Sequence, residues 1–204
     1  QLLQTDGGAD RELFEKGLGH ILHESTRLHR LVMELLEMAD RSGSADPCSV
    51  DMNSLVESVA EAMAIRAERY ACHLKVKLEP ELIFFGVEGR LRQIFINLID
   101  NAVKYGETGE EIEIRGEHTA GGLLFSVENR TAGEPAREEL ERIFEPFYRI
   151  DKEPAREQGS AGLGLSICRK ITEEHGGRIW AENAPGGRIR FSVIFPMEVN
   201  TDEA

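Results

Sequence analysis

Asn97, Asn101, Lys104 and Tyr105 stand at steps of four, three and one in the run RLRQIFINLIDNAVKY. On a helix these four share a face. Leu91, Ile94, Leu98 and Ala102 fall at helical spacing on the other face and can turn to a core. Two side-chain amides, an ammonium and a phenol along one helix suit a magnesium–polyphosphate ligand. Amide oxygens can ligate a hard cation, and a lysine can neutralise phosphate oxygens as a point charge. A merely solvated face would be rich in Glu and Lys, and a pair of asparagines is a poor choice by helix propensity alone.

A second segment supplies the complement. GSAGLGLSICRKITEEHGG sets Gly159, Gly162 and Gly164 before an amphipathic helix carrying Leu165, Ile167, Cys168 and Ile171. Glycines there allow close approach of backbone to ligand, and a helix N-terminus presents unpaired N–H groups to phosphate. A glycine-rich loop alone is a weak signal. Paired with the asparagine helix it becomes specific.

With those residues in view the chain resembles the sensor histidine kinases of two-component systems. NLIDNAVKY resembles their N box, RIFEPFYRID (142–151) their F box, and GSAGLGLSI their second glycine box; HGGRIWAENAPGGRIRFSVIFP (175–196) is similar to their closing strands. The resemblance implies an α/β (α+β) sandwich of the Bergerat ATPase type, with a mixed sheet and three helices on one face. It implies ATP and Mg2+ as ligands. Asn97 and Asn101 would hold the metal and phosphates, with Lys104 and Arg149 also on phosphate and Tyr105 beside base and ribose. Gly159, Gly162, Leu163, Gly164 and Leu165 would wrap the nucleotide.

Two departures from the family pattern carry chemical meaning. Aligned on Pro135, the run Asn129-Arg130-Thr131-Ala132-Gly133-Glu134-Pro135 stands where the family writes Asp-x-Gly-x-Gly. Asn129 replaces the Asp that accepts the adenine amino group, Thr131 replaces the first glycine, and Gly133 keeps the second. An amide oxygen still accepts that bond, without the charge that strengthens it. Asn97 stands where ATP-hydrolysing relatives of the fold carry a glutamate base. An amide cannot take a proton from water, so the resemblance implies phosphoryl transfer to a histidine and then to a response-regulator aspartate. The rival readings are a kinase-impaired relative acting as phosphatase or scaffold, and an anti-sigma-type serine kinase on the same fold.

These residues need elements to position them. Phe14, Leu18, Ile21, Ser25, Leu28, Val32, Leu35 and Ala39 alternate at fours and threes, a heptad seam with one polar member. Leu22, Leu31 and Leu36 widen it to a bundle face. The resemblance implies that residues 1–46 are the end of a dimerisation hairpin, mostly its second long helix, and 47–200 the catalytic domain. The chain begins QLLQTDGG, without Met, as though cut from something longer. On this reading the phosphoacceptor lies upstream; His23, in HESTRL, is the candidate inside the chain, but Leu28 stands where the acceptor box has proline. His73, His118 and His175 receive no role.

Within 47–200 the sequence predicts a short strand near Val50 and a helix capped by Asn53 or Ser54. Strands at KVKLEP and ELIFF, the asparagine helix from Glu88 to Tyr105, and a hairpin across Thr119–Gly122 come next. Residues 130–161 read as a lid with a short helix at Arg137–Phe144, before a helix from Gly162 to His175 and strands at 178–182 and 188–195. The net charge of −13 argues against nucleic acid as partner. The expected partners are a response regulator and a second copy of the chain. Three scattered cysteines read as reduced thiols. No apolar run approaches the ~20 residues of a membrane span. The expected place is the cytoplasm, with membrane attachment through an N-terminal part of the parent protein.

Overall fold

A computed structural model of the protein describes residues 14–19, 21, 25, 32, 46–150 and 162–197. The chain divides into two compact units, 1–40 and 41–204. In the first, the seam residues Phe14, Leu18, Ile21, Ser25 and Val32 are helical and exposed, Phe14 and Ile21 to 68%. Leu28, Leu35, Ala39 and His23 lie outside the described residues, as do residues 151–161 of the expected lid and the tail after 197.

The second unit opens with strand β1 (Cys48–Asp51) and helix α1 (Met52–Arg69). The cap of α1 is neither Asn53 nor Ser54. Asp51 takes that place, accepting the N–H groups of Asn53 at 3.0 Å and Ser54 at 3.3 Å. A carboxylate at this end also meets the positive pole of the helix. Asn53 instead ties down the next turn: its amide donates to the Glu79 carbonyl at 2.7 Å and accepts the Leu82 N–H at 2.9 Å.

Strands β2 (His73–Leu78) and β3 (Ile83–Gly86) lead into α2 (Glu88–Tyr105), the asparagine helix, with the predicted bounds. Strands β4 (Glu111–Thr119) and β5 (Gly122–Arg130) form the expected hairpin. Helix α3 is shorter than predicted, Arg137–Arg142, with Ile143 as its cap. Helix α4 runs Gly164–Glu174, and β6 (Arg178–Ala184) and β7 (Arg188–Phe195) close the unit. Gly162 does not join α4 because its φ of +75° lies in the left-handed region, which a right-handed helix cannot use.

The main sheet has the order β2-β4-β5-β7-β6. Only β2 and β4 are parallel, so the sheet is mixed, as expected. β1 and β3 make a separate antiparallel pair. Strand β5 alternates cleanly: Leu123, Phe125 and Val127 are buried, and Leu124, Ser126 and Glu128 are not. Its buried neighbours Ile114 on β4 and Phe191 and Val193 on β7 share that face. Helices α1, α2 and α4 cover it. Phe95 of α2 meets Phe125 edge-on at 5.3 Å between ring centres, a contact that adds to simple burial.

The opposite face carries charge. Glu113 of β4 pairs with Arg115 at 2.5 Å and with Lys77 of β2. It lies directly across from Glu128, which Arg188 and Arg190 hold at 2.6 and 2.8 Å. Hydrogen bonds from Arg115 and then Lys77 lower the Glu113 carboxyl from 4.5 to about 2. A folded value below the unfolded one stabilises the fold above about pH 4.5, and that support fades as pH falls towards 2. Glu113→Gln therefore lowers the thermal midpoint at pH 7, and the gap to wild type closes by pH 2 to 3. Melting curves across that range check it; a gap independent of pH would contradict it.

Candidate functional site

Helix α2 sorts its residues as its spacing requires. Leu91, Ile94, Leu98 and Ala102 are buried. Asn97, Asn101 and Lys104 are half-buried, and Tyr105 is exposed. The Asn97 amide nitrogen donates to the Gly164 carbonyl at 3.2 Å, and its oxygen accepts from Gln93 at 3.4 Å. A Cβ on Gly164 would lie 3.6 Å from the Asn97 amide carbon. The asparagine helix and the glycine loop, sixty-seven residues apart in sequence, are thus in direct contact. Because a carbonyl can only accept, the Asn97 nitrogen must face Gly164 and the oxygen must face away.

The lysine is more constrained than the sequence suggests. Lys104 pairs with Asp100 one turn earlier, and Asp100 also meets Arg66 of α1 at 3.0 Å. Two cations share one carboxylate, leaving a local positive excess beside Asn101. Asp100 and Arg66 were not singled out by sequence. Asp100 sits in the middle of the N-box run, and its i, i+4 spacing to Lys104 was the available signal.

Asn129 lies near the end of β5, against the turn that follows α2. It is 2% exposed, and its nitrogen donates to the Arg130 carbonyl at 3.1 Å. Its oxygen is buried without a hydrogen-bond partner. Gly106, at the end of α2, lies against it: a Cβ there would come within 3.5 Å of the Asn129 nitrogen. An orphaned buried acceptor is costly, about 1–3 kcal/mol, and a ligand amino group would satisfy it. The residues present therefore fit adenine. Asn129→Ala removes one made bond and one orphan together, so apo stability shifts by no more than about 1 kcal/mol. ATP affinity falls roughly fivefold, the loss of about one hydrogen bond. Parallel melting and titration check this; equal affinity would place the base elsewhere.

The degenerate glycine box is an ordinary turn. The Thr131 hydroxyl donates to the Gly133 carbonyl at 2.7 Å, and Gly133 is exposed with open space around it. No protein contact there demands glycine.

The F box joins the second glycine box. Phe144 is core at 2% exposure, stacked under the Arg169 guanidinium at 4.8 Å. Phe147 differs: it is 59% exposed with φ of +66°. Its N–H donates to the Gly162 carbonyl at 3.0 Å. This bond joins the F-box turn to the loop that leads into α4. Arg149 is half-buried just beyond it, Leu163 is fully buried and Leu165 half-buried. Gly159 lies outside the described residues. Cys168 is buried beneath the site, its thiol donating to the Ile94 carbonyl at 3.6 Å. Burial pushes that thiol up to about 12, so it is an inert packing group.

Among the described residues no three His, Cys, Asp or Glu side chains gather where they could hold a metal. A magnesium ion here would rest on the Asn97 and Asn101 amide oxygens and on phosphates brought by the nucleotide. Residues 86–199, more than half of the chain, match the family described as histidine kinase-, DNA gyrase B- and HSP90-like ATPases. The chain belongs to this ATPase family. Its likeness is to the sensor kinases within it. Sensor protein kinase WalK of Staphylococcus saprophyticus is 29% identical over 99% of this chain. The chain spans only 34% of that relative's length. The catalytic domain of histidine kinase ThkA superposes with a TM-score of 0.66 at 30% identity, over 74% of this chain and 96% of that one. Full-length ShkA, solved with AMPPNP, gives 0.72 at 31% identity, over 89% of this chain and 38% of that one. ThkA has also been solved with the response regulator TrrA, at 0.66 and 27% identity, over 90% of this chain and 51% of that one. In this ATPase family's terms, the fold expected from the sequence is the fold found.

Proposed function

We propose that residues 47–200 form the ATP-binding catalytic domain of a sensor histidine kinase, and residues 1–46 the end of its dimerisation hairpin. The observation that carries the nucleotide reading is the buried, partnerless oxygen of Asn129. Asn97 and Asn101 would hold Mg2+ together with phosphate oxygens. Lys104, Arg149 and the N–H groups of Gly162, Gly164 and Leu165 would hold the phosphates, with Leu163 packing the loop beneath them. Tyr105 would flank the base and ribose, and Gly133 and Gly159 would lie along the ligand in its flanking loops. Bound ATP supplies the transferable γ-phosphoryl group, and the metal draws charge from its oxygens.

The protein's part is positioning and electrostatics. Asn97 cannot deprotonate water, which favours transfer to a protein histidine over hydrolysis. The neighbour solved with TrrA supports a response regulator as the final acceptor. The exposed apolar side chains of Phe14, Ile21 and Val32 support pairing of this helix with others in a homodimer. Among the described residues no helix is long and apolar enough to cross a membrane. We place the domain in the cytoplasm, with attachment through parts of the parent protein outside this chain.

The test is phosphoryl transfer in trans. Incubated alone with γ-labelled ATP, the chain should stay unlabelled, and His23→Gln should change nothing. A dimerisation hairpin with an intact phosphoacceptor box, taken from a related sensor kinase, should gain an acid-labile, base-stable label when the chain is added. Label on the chain itself that disappears in His23→Gln would reassign the acceptor. ATP binding without any transfer would contradict the kinase reading.

A further inference from the structure

Helices α2 and α4 lie antiparallel, and a series of contacts runs along their seam. At the site end the Asn97 amide donates to the Gly164 carbonyl at 3.2 Å. In the middle the Cys168 thiol donates to the Ile94 carbonyl. At the far end Arg90 meets Glu174 at 2.7 Å. The last contact involves His175, to which the sequence assigned nothing.

Its ring has two different partners. Nδ1 lies 2.8 Å from the Ile171 carbonyl, and Nε2 lies 3.1 Å from the Val87 nitrogen. A carbonyl only accepts and a backbone N–H only donates. Nδ1 must therefore carry the proton, and Nε2 must accept. Val87 is the N-cap of α2 and makes no side-chain capping bond, while His175 is the C-cap of α4. One imidazole thus fastens the start of the asparagine helix to the end of the glycine-loop helix. The site is shaped to receive the ring. Phe84 and Phe195, themselves in contact at 4.8 Å, both pack against it at 6.1 and 6.4 Å, and Gly86 is bare where a Cβ would come within 2.8 Å of the ring.

We propose that His175 is a positioning residue for nucleotide binding. It sets the register of α4 along α2, and so holds Asn97 against Gly164 at the start of α4, with Asn101 one turn further along α2. Helices are stiff along their axes. A slip at the Val87–His175 end therefore reappears at the Asn97–Gly164 end, where ligand groups must converge on one metal and one phosphate chain. The inference rests on reading those residues as the nucleotide site.

Three substitutions separate register from packing. His175→Phe keeps a ring against the Phe84–Phe195 pair and loses both hydrogen bonds. His175→Asn places an amide nitrogen near the Nδ1 position, keeping the Ile171 bond and losing the Val87 bond. His175→Gln carries its oxygen to the Nε2 position and keeps an acceptor for Val87. The whole chain is titrated with magnesium and AMP-PNP at a temperature where circular dichroism shows every variant folded. Phe and Asn should weaken binding about tenfold, and Gln should stay within about twofold of wild type.

In the nucleotide-free protein, the NMR signals of the Asn97 side-chain amide and the Gly164 backbone amide should move in Phe and Asn and hold in Gln. Equal affinity in all three, or unmoved Asn97 and Gly164 signals in Phe and Asn, would reduce His175 to a space-filler and overturn the proposal. If the Phe variant does not fold, the contrast of Asn with Gln decides alone. If the wild type binds no nucleotide, the site reading fails, and the NMR comparison still decides the register.

Discussion

Asn101→Ala weakens the binding of magnesium–ATP by about tenfold or more, at least about 1.4 kcal/mol. Asn101 is half-buried on the same face of α2 as Asn97, one turn on. On the proposed reading its amide oxygen would be the second protein ligand to magnesium, for among the described residues no three His, Cys, Asp or Glu side chains gather to hold a metal. On the proposed reading the phosphate charge would then fall to Lys104 and Arg149, and Lys104 already pairs with Asp100. The stability of the free protein should change little, since the side chain is only half-buried and faces the site rather than the core. Titration of the variant beside wild type checks this. Affinity within twofold of wild type would sink the assignment of the asparagine face.

Gly162→Val lowers both the thermal midpoint and nucleotide affinity. Two penalties act at once. The backbone there has φ of +75°, which costs a residue with a Cβ about 1–2 kcal/mol. A Cβ would also lie 2.9 Å from the Tyr148 carbonyl oxygen and 3.0 Å from the Phe147 carbonyl carbon. Both are backbone atoms that cannot swing aside, and they belong to the turn clipped by the Phe147–Gly162 hydrogen bond. The midpoint should fall by roughly 5 °C, and nucleotide affinity should fall with it because the clip sets where the first turn of α4 begins. Differential scanning with and without nucleotide reads both effects. An unchanged midpoint would mean that the loop relaxes freely and that glycine is dispensable at this point.

The sequence disclosed whatever is periodic. The core side of α2 was legible because Leu91, Ile94, Leu98 and Ala102 repeat at helical spacing. The hairpin was legible because Gly122 to Asn129 alternates. Helix ends were read less well. The cap was expected at Asn53 or Ser54; Asp51 can cap by the same chemistry, and only the fold shows that Asp51 takes the place while Asn53 is taken up by Glu79 and Leu82. Gly162 looked helical because a conformation with φ above zero leaves no mark on composition.

The site was legible as residue types and not as partnerships. Asn97 and Gly164 were both singled out, yet their hydrogen bond joins distant segments and no spacing encodes it. His175 had no neighbours in sequence to suggest a role; its partners Val87, Phe84 and Phe195 come from elsewhere in the chain. Phe144 and Phe147 stand three apart in the F box, and nothing in their spacing separates them. One is core, and the other is exposed in a left-handed turn.

The proposed site binds ATP with magnesium through the asparagine helix and the glycine loop. Isothermal titration of the intact chain with AMP-PNP, with and without magnesium, checks this. Saturable binding of one nucleotide per chain is expected, tighter with the metal than without it, and weakened by Asn101→Ala. No saturable heat at millimolar nucleotide with magnesium present, from protein shown to be folded, would contradict it.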